Sequence, residues 1–285
     1  MRVVLRVSQA PVWLQRMNFP VSPRVEPSRT ELLRQLTNAA LSTSYYSQRE
    51  WADALLAGDS LTSLPTTPLR DFLQLSSQFV NPKVRVYRPR FVPPIETNGA
   101  AVSGIPLDVP RNSKFLMPEN LGGLHMGKAR MLAATPTLLR RVCAAIESRT
   151  LAMPALDEAV VVLSSVREGA LLHGERDMLW RCLGVPVFEQ WIGLDGELLA
   201  AECEAHQGMH WNNSAGELEE SGGQFVVTSY RARRHPSIRL DTGLTAEVSD
   251  SKCLCGRVGI RLINLRSARQ QVGPAMSVSS FAAAH

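Results

Sequence analysis

The chain has 285 residues, 45% of them apolar and 20% charged, which is the balance of an ordinary globular protein able to bury one large core or two smaller ones. No run of ~18 apolar residues could span a bilayer. The start, Met1-Arg-Val-Val-Leu-Arg-Val, reaches Gln9, Pro11 and Arg16 without the apolar stretch and cleavage site of a secretory signal, so a cytoplasmic protein is expected.

Taken in order, Leu32, Leu33, Leu36, Ala39 and Ala40 recur at helical spacing, and Ser28 or Thr30 is placed to cap that helix. A second short helix is expected over Gln48 to Ala57, stopped by Gly58. Leu64 to Phe72 reads as a turn followed by helix, with Thr67 capping and Pro68 in the first helical position. The alternation of Val84, Val86 and Tyr87 suggests a strand, after which Pro93, Pro94, Pro106, Pro110 and Pro118 predict loops.

Thr135 should cap a helix whose apolar face is Leu138, Leu139, Val142 and Ile146. Glu158 to Ser165 reads as a buried strand, Gly174 to Gly184 as a helix stopped by glycine, and Val185 to Ile192 as the next strand. Strand, helix and strand in that order predict a parallel βαβ unit. Beyond Glu217 the texture is that of short antiparallel strands at 224–230, 237–241 and 257–265, and 270–285 reads as a frayed tail.

The chemistry-bearing residues gather late. Of five cysteines, three lie in Cys203-Glu-Ala-His206, followed by Gln-Gly-Met-His210, and in Cys253-Leu-Cys255-Gly-Arg257. A thiolate and an imidazole three residues apart can reach one ion from a single turn, and Cys-x-Cys can do so from a tight loop. This predicts a tetrahedral zinc on Cys203, His206, Cys253 and Cys255, with His210 in reserve. A closed four-ligand site leaves no place for substrate, so such a zinc braces structure. The alternative is two buried thiols and a surface histidine.

Other signals carry less. The net charge of +5 raises the question of nucleic acid, but the clusters Arg85, Arg88, Arg90 and Arg231, Arg233, Arg234, His235 lack interleaved aromatics, which argues against it. Gly122 to Ala129 matches a phosphate-binding P-loop up to its last position, where Ala129 replaces the magnesium-binding hydroxyl. His125, His173 and His235 are solitary, and Trp180, Trp191 and Trp211 could line an aryl pocket or a core.

Leu64-Pro-Thr-Thr-Pro-Leu-Arg-Asp-Phe72, Ala134-Thr-Pro-Thr-Leu-Leu139, Ala201 to His210, Ser237-Ile-Arg-Leu-Asp-Thr-Gly243 and Cys253 to Arg257 together resemble the phenylacetate-CoA ligase branch of the adenylate-forming enzymes. The resemblance implies activation of a carboxylic acid with ATP and magnesium, transfer to coenzyme A, and a structural zinc. It places the magnesium-binding motif on Trp191-Ile-Gly193-Leu-Asp195-Gly196-Glu197, with Asp195 and Glu197 as the catalytic candidates and Gly193 in the loop. It places the ribose-binding motif on Arg239, Asp241, Thr242 and Gly243, where Leu244 stands in place of the expected aspartate and Asp241, three residues earlier on a strand, would face the opposite side. Thr97 to Pro106 is a remnant of the phosphate loop, and the mobile lysine-bearing domain would be missing.

The expected fold is thus α/β: a partial adenylate-forming N-domain whose mixed sheet has a helical N-terminal region and a zinc-braced antiparallel end. The expected divisions are 1–82 helical, 83–134 loop-rich, 135–265 a reduced α/β core and 266–285 a tail. The expected function is that of a shortened relative of acyl- and aryl-CoA ligases without independent adenylation activity, binding a small carboxylic acid, AMP or ATP, a second copy of itself or a pathway protein. The alternative is an active ligase.

Overall fold

The computed structural model describes residues 27–57, 61–84, 101–103, 115–116, 131–152 and 156–268. Gly58, the arginines from Arg85 to Arg90, the remnant loop around Thr97, the glycine-rich turn at Gly122 to Ala129 and the tail from Gln270 lie outside these residues, apart from a short strand at Ala101–Ser103. Of the strand expected near Val86, only Lys83 and Val84 are described, and both sit in a turn held by Asn81.

Helix α1 (Arg29–Ala40) begins where Ser28 Oγ accepts the Glu31 amide at 3.2 Å and buries Leu32, Leu36, Ala39 and Ala40. Helix α2 (Arg49–Ala57) and helix α3 (Leu69–Gln74) follow. Here one expectation is corrected: Pro68, not Thr67, is the residue before α3, and no side chain caps it. The fully buried Thr67 hydroxyl instead donates to Ile238 O at 2.8 Å and meets the Tyr46 hydroxyl at 3.0 Å. A buried hydroxyl needs a partner, and the backbone of a distant segment supplies it. Thr67 bridges Leu240, its amide bonding Arg239 O and its carbonyl accepting the Asp241 amide, both at 2.9 Å. An aromatic core of Tyr45, Tyr46, Trp51, Phe72 and Phe79 includes Ile238 and Leu240, so the helical region packs on this same segment.

The strands, in chain order, are β1 (Ala101–Ser103), β2 (Phe115–Leu116), β3 (Met131–Ala134), β4 (Ala159–Ser164), β5 (Val187–Ile192), β6 (Leu198–Glu202), β7 (Met209–Trp211), β8 (Gly216–Ser221), β9 (Gln224–Ser229), β10 (Leu240–Asp241), β11 (Leu244–Ser249) and β12 (Arg261–Ser267). Among the described residues nine form one sheet in the order β11-β12-β7-β6-β5-β4-β3-β1-β2, and β10-β9-β8 form a second. From β2 to β5 the pairing is parallel, and from β5 to β11 it is antiparallel.

The expected βαβ unit is β4, α5 (Glu175–Leu183) and β5. Gly184, at φ 72°, closes α5 in a left-handed conformation that an L side chain resists. Helix α4 (Pro136–Glu147), capped by Thr135 as expected, packs with α5 over one face of the parallel strands. Every residue of β3, β4, β5 and β6 is buried, as befits strands covered on both faces. At the antiparallel end a further core joins the two sheets through Trp191, Trp211, Phe225, Leu244 and Leu262.

A second correction concerns the segment around Asp241. Asp241 ends β10 in the small sheet, Gly243 turns at φ 61°, and Leu244 begins β11 in the large one. The parity of a single strand therefore does not relate Asp241 to Leu244.

Candidate metal centre and nucleotide site

Strand β6 delivers Cys203 to a tight turn in which the His206 amide bonds Cys203 O at 2.9 Å. Strand β7 returns beside β6 carrying His210. A loop after β11 folds back at Gly256, φ 86°, with Gly256 N on Cys253 O at 2.9 Å, and so presents Cys253 and Cys255 to the same point. The donor atoms of Cys203, His210, Cys253 and Cys255 all lie within 4.8 Å of one another. The sulfurs of Cys203 and Cys253 are 3.6 Å apart, and Cys255 Sγ is 3.4 Å from His210 Nε2. Zinc bond lengths of about 2.3 Å to sulfur and 2.0 Å to nitrogen put the edges of a tetrahedron at about 3.8 and 3.5 Å. The cluster is already near the shape that a tetrahedral ion would require.

His206 is not in that group. Its backbone takes a left-handed φ of 49°, and its ring stacks on Phe188 with centroids 4.6 Å apart, near Glu202. The Cys203 to His206 turn forms, but it does not bring the His206 ring to the three sulfurs, and His210, the reserve ligand, lies there instead. Burial, followed by Arg257 and Arg261, holds His210 below its ordinary pKa, which favours the neutral ring with a free lone pair. Burial pushes the Cys203 thiol up to about 12, so a metal there would displace its proton. Three sulfurs and one imidazole, mostly buried, could hold a metal ion.

The nucleotide candidates are arranged differently. Asp195, 5% exposed, accepts the amides of Arg233 and Arg234 at 2.6 and 2.7 Å on Oδ2, and the amide of His235 at 3.1 Å and its Nδ1 at 2.9 Å on Oδ1. Burial raises its pKa, but His235 and these amides together carry it below the ordinary value. The carboxylate anchors the 233–235 loop. Glu197 points inward: Oε1 accepts the Ser229 hydroxyl and Oε2 the Asp195 amide at 3.1 Å. Gly193 makes room for it, since a Cβ there would lie 2.0 Å from Glu197 Oε1.

The ribose candidates are likewise engaged. Arg239 binds Glu219 through Nε and Nη2 at 3.2 and 3.0 Å, and through Nη1 the carbonyls of Thr62 and Leu64. Thr242 Oγ1 donates to Phe225 O at 2.8 Å and accepts the Leu244 amide at 3.1 Å. Asp241 Oδ1 accepts the Gly243 amide at 2.9 Å, closing a local turn. Leu244 is 2% exposed and belongs to the core around Trp191.

Burial of Glu197, with the Asp195 carboxylate nearby, pushes its pKa up to about 7. The folded state therefore keeps a proton that the unfolded chain releases from about pH 4.5, and this group lowers stability as pH rises from there to about 7. Glu197→Gln should remove that loss, leaving stability at pH 5 nearly unchanged and raising it by roughly 1–3 kcal/mol at pH 8. Urea melts of both proteins at the two pH values check this, and an equal difference at both would overturn it.

Comparisons with protein-family models and with curated proteins give no match. Solved structures do match. An open conformation of 2-hydroxyisobutyryl-CoA ligase in complex with 2-HIB-AMP and CoA superposes on 82% of this chain and 73% of its own, with a TM-score of 0.56 and 14% identity. The same ligase in the thioesterification state, with the same ligands, matches 84% of this chain and 67% of its own, at a TM-score of 0.55 and 15% identity. At such identity the likeness is one of fold, shared over about four fifths of this chain with part of 2-hydroxyisobutyryl-CoA ligase.

Proposed function

We propose that this protein is a relative of acyl- and aryl-CoA ligases, from the phenylacetate-CoA ligase branch, that does not adenylate a carboxylate by itself and acts by binding a ligand or partner. One observation carries the reading: the polar groups of Asp195, Glu197, Arg239 and Thr242 that the ligase chemistry would turn toward ATP and magnesium are spent on bonds within the fold. Leu244, where ribose recognition calls for a carboxylate, is core. The ion of the Cys203, His210, Cys253 and Cys255 cluster is zinc in this reading, since three thiolates and an imidazole suit it best, and it braces the two loops.

Calorimetric titration of zinc-replete protein with ATP and with AMP, each in magnesium, tests the proposal. No heat with either is expected. Saturable micromolar binding, followed by carboxylate-dependent pyrophosphate exchange, would establish the active ligase instead. A partner or second copy is favoured by apolar side chains standing out around the antiparallel edge: Val248 on edge strand β11 is 51% exposed, and Leu254 and Val258 in the cysteine loop are 81% and 79% exposed.

A further inference from the structure

On the α5 side of the sheet lies a groove of about 1050 Å³, bounded by the Leu171–Gly174 loop, the first turn of α5, strand β12 and the loop ahead of Cys253. Successive residues of a strand face opposite ways, and Val187 packs beneath α5, so Glu189 shares its face, away from Phe188 and Ile192. The groove is therefore lined by a carboxyl group that the nucleotide motifs do not use.

Its floor is built. Glu202 is neutralised by Arg176, whose Nη1 and Nη2 reach the two carboxylate oxygens at 2.9 and 2.7 Å, and it also accepts the Glu189 amide at 2.7 Å. Glu189 is only 5% exposed, and its Oε1 accepts both the Ser164 hydroxyl and the Leu171 amide, the latter at 3.1 Å. Among the described residues no group bonds its Oε2. Leu171, Met209 and Leu254 lie along the walls, and the rim carries His173, His206, Lys252 and Arg266.

We propose that this groove binds an amphiphile with an oxyanion head, its head hydrogen-bonded by Glu189 Oε2 beneath the basic rim and its apolar body laid along the walls. Because Oε1 is occupied by two donors, a proton on this carboxyl resides on Oε2 and can be donated to the head. Burial pushes the Glu189 pKa up to about 7, with the Glu202 charge adding and the Ser164 hydroxyl, the Leu171 amide and Arg176 pulling the other way, so the proton is available near neutrality. Carboxylates and phosphate monoesters share the required chemistry, whereas an amine would need the ionised carboxylate and a less basic rim. The inference does not depend on whether ATP binds, since it uses neither Asp195 nor Arg239.

Titrating the zinc-replete protein with octanoate, octyl phosphate and octylamine, each below its micellar concentration, tests it. One saturable site for octanoate, octyl phosphate or both is expected, and which of them binds more tightly distinguishes carboxylate from phosphate. Glu189→Gln, which keeps a donor at Oε2, should hold affinity within about threefold, and Glu189→Leu should lower it about tenfold. Should the leucine variant fold poorly, the exposed pair Lys252→Glu with Arg266→Glu serves instead and should weaken binding about fivefold or more. Absence of any saturable site, preference for octylamine, or affinity indifferent to the Glu189 and rim changes would each overturn the proposal.

Discussion

Cys203→Ser is expected to strip the protein of its metal and to lower its melting temperature by about 10 °C or more. Cys203 directly follows β6, Cys253 and Cys255 belong to a loop fifty residues later, and that loop reaches the 203–208 turn through the Leu254 amide on Gln207 Oε1 at 3.1 Å and Arg257 on Glu204 at 3.5 Å. A tetrahedral ion would tie that loop to β6 and β7 with four strong bonds. Structural zinc contributes on the order of 10 kcal/mol or more in isolated fingers. Even about 3–5 kcal/mol of it, at roughly 2–4 °C per kcal/mol for a chain of this size, gives the expected shift. Elemental analysis should find one zinc per wild-type chain and almost none in the variant, and a chelator should bring the wild type to the variant's melting temperature. His206→Ala should retain the metal and His210→Ala should not. An unchanged melting temperature after chelation, or metal lost with His206, would remove the cluster as drawn.

The contrast between those two histidines indicates where the sequence was legible. Spacing drew attention to Cys203 and to the Cys253–Cys255 pair because each sits in a local turn, the second supported by a glycine at 256, and the fold brings these three sulfurs together. It put His206 ahead of the reserve ligand His210 because spacing alone does not show which imidazole the 203–208 turn aims at the sulfurs, and the left-handed backbone at His206, with β7 returning beside β6, decides it. Helices α1, α4 and α5 and the β4-α5-β5 unit were readable from periodicity, caps and terminal glycines. Strands β3, β6, β7, β8 and β11 were not: several are very short, β3 and β6 are buried on both faces and so do not alternate, and Leu198 to Glu202 carries little β-branched signal. Glu189 and Glu202 were overlooked for a related reason. A single acid in an apolar strand looks like a polar face, and only the packing of α5 makes it a buried, bonded floor. Thr67 was assigned to a cap on local grammar, whereas a partner about 170 residues away claimed its hydroxyl.

Leu244→Asp, which restores the carboxylate that ribose binding would use, is expected to destabilise the protein by about 4–6 kcal/mol and to create no affinity for AMP. Two costs add. Leu244 is 2% exposed among Trp191, Phe225, Leu262 and Leu265, and losing such a side chain costs about 2–5 kcal/mol. The buried Trp191 Nε1 of the same core has no hydrogen-bond partner among the described residues, but a single N–H pairs only part of a carboxyl, and burying an incompletely paired polar group adds roughly 1–3 kcal/mol even when it is protonated. Leu244→Ala separates the terms, since it loses the packing without adding the charge and should cost about 2–4 kcal/mol. The difference between the two variants should grow as pH rises, because an ionised carboxylate at this position is tolerated in the unfolded chain and not in the core. Urea melts at pH 5 and 8 with AMP titration read all of this. If the aspartate variant kept its stability within about 1 kcal/mol and bound AMP, position 244 would be a dormant ribose contact and not a core residue, and the proposal of a fold that has given up adenylation would fall with it.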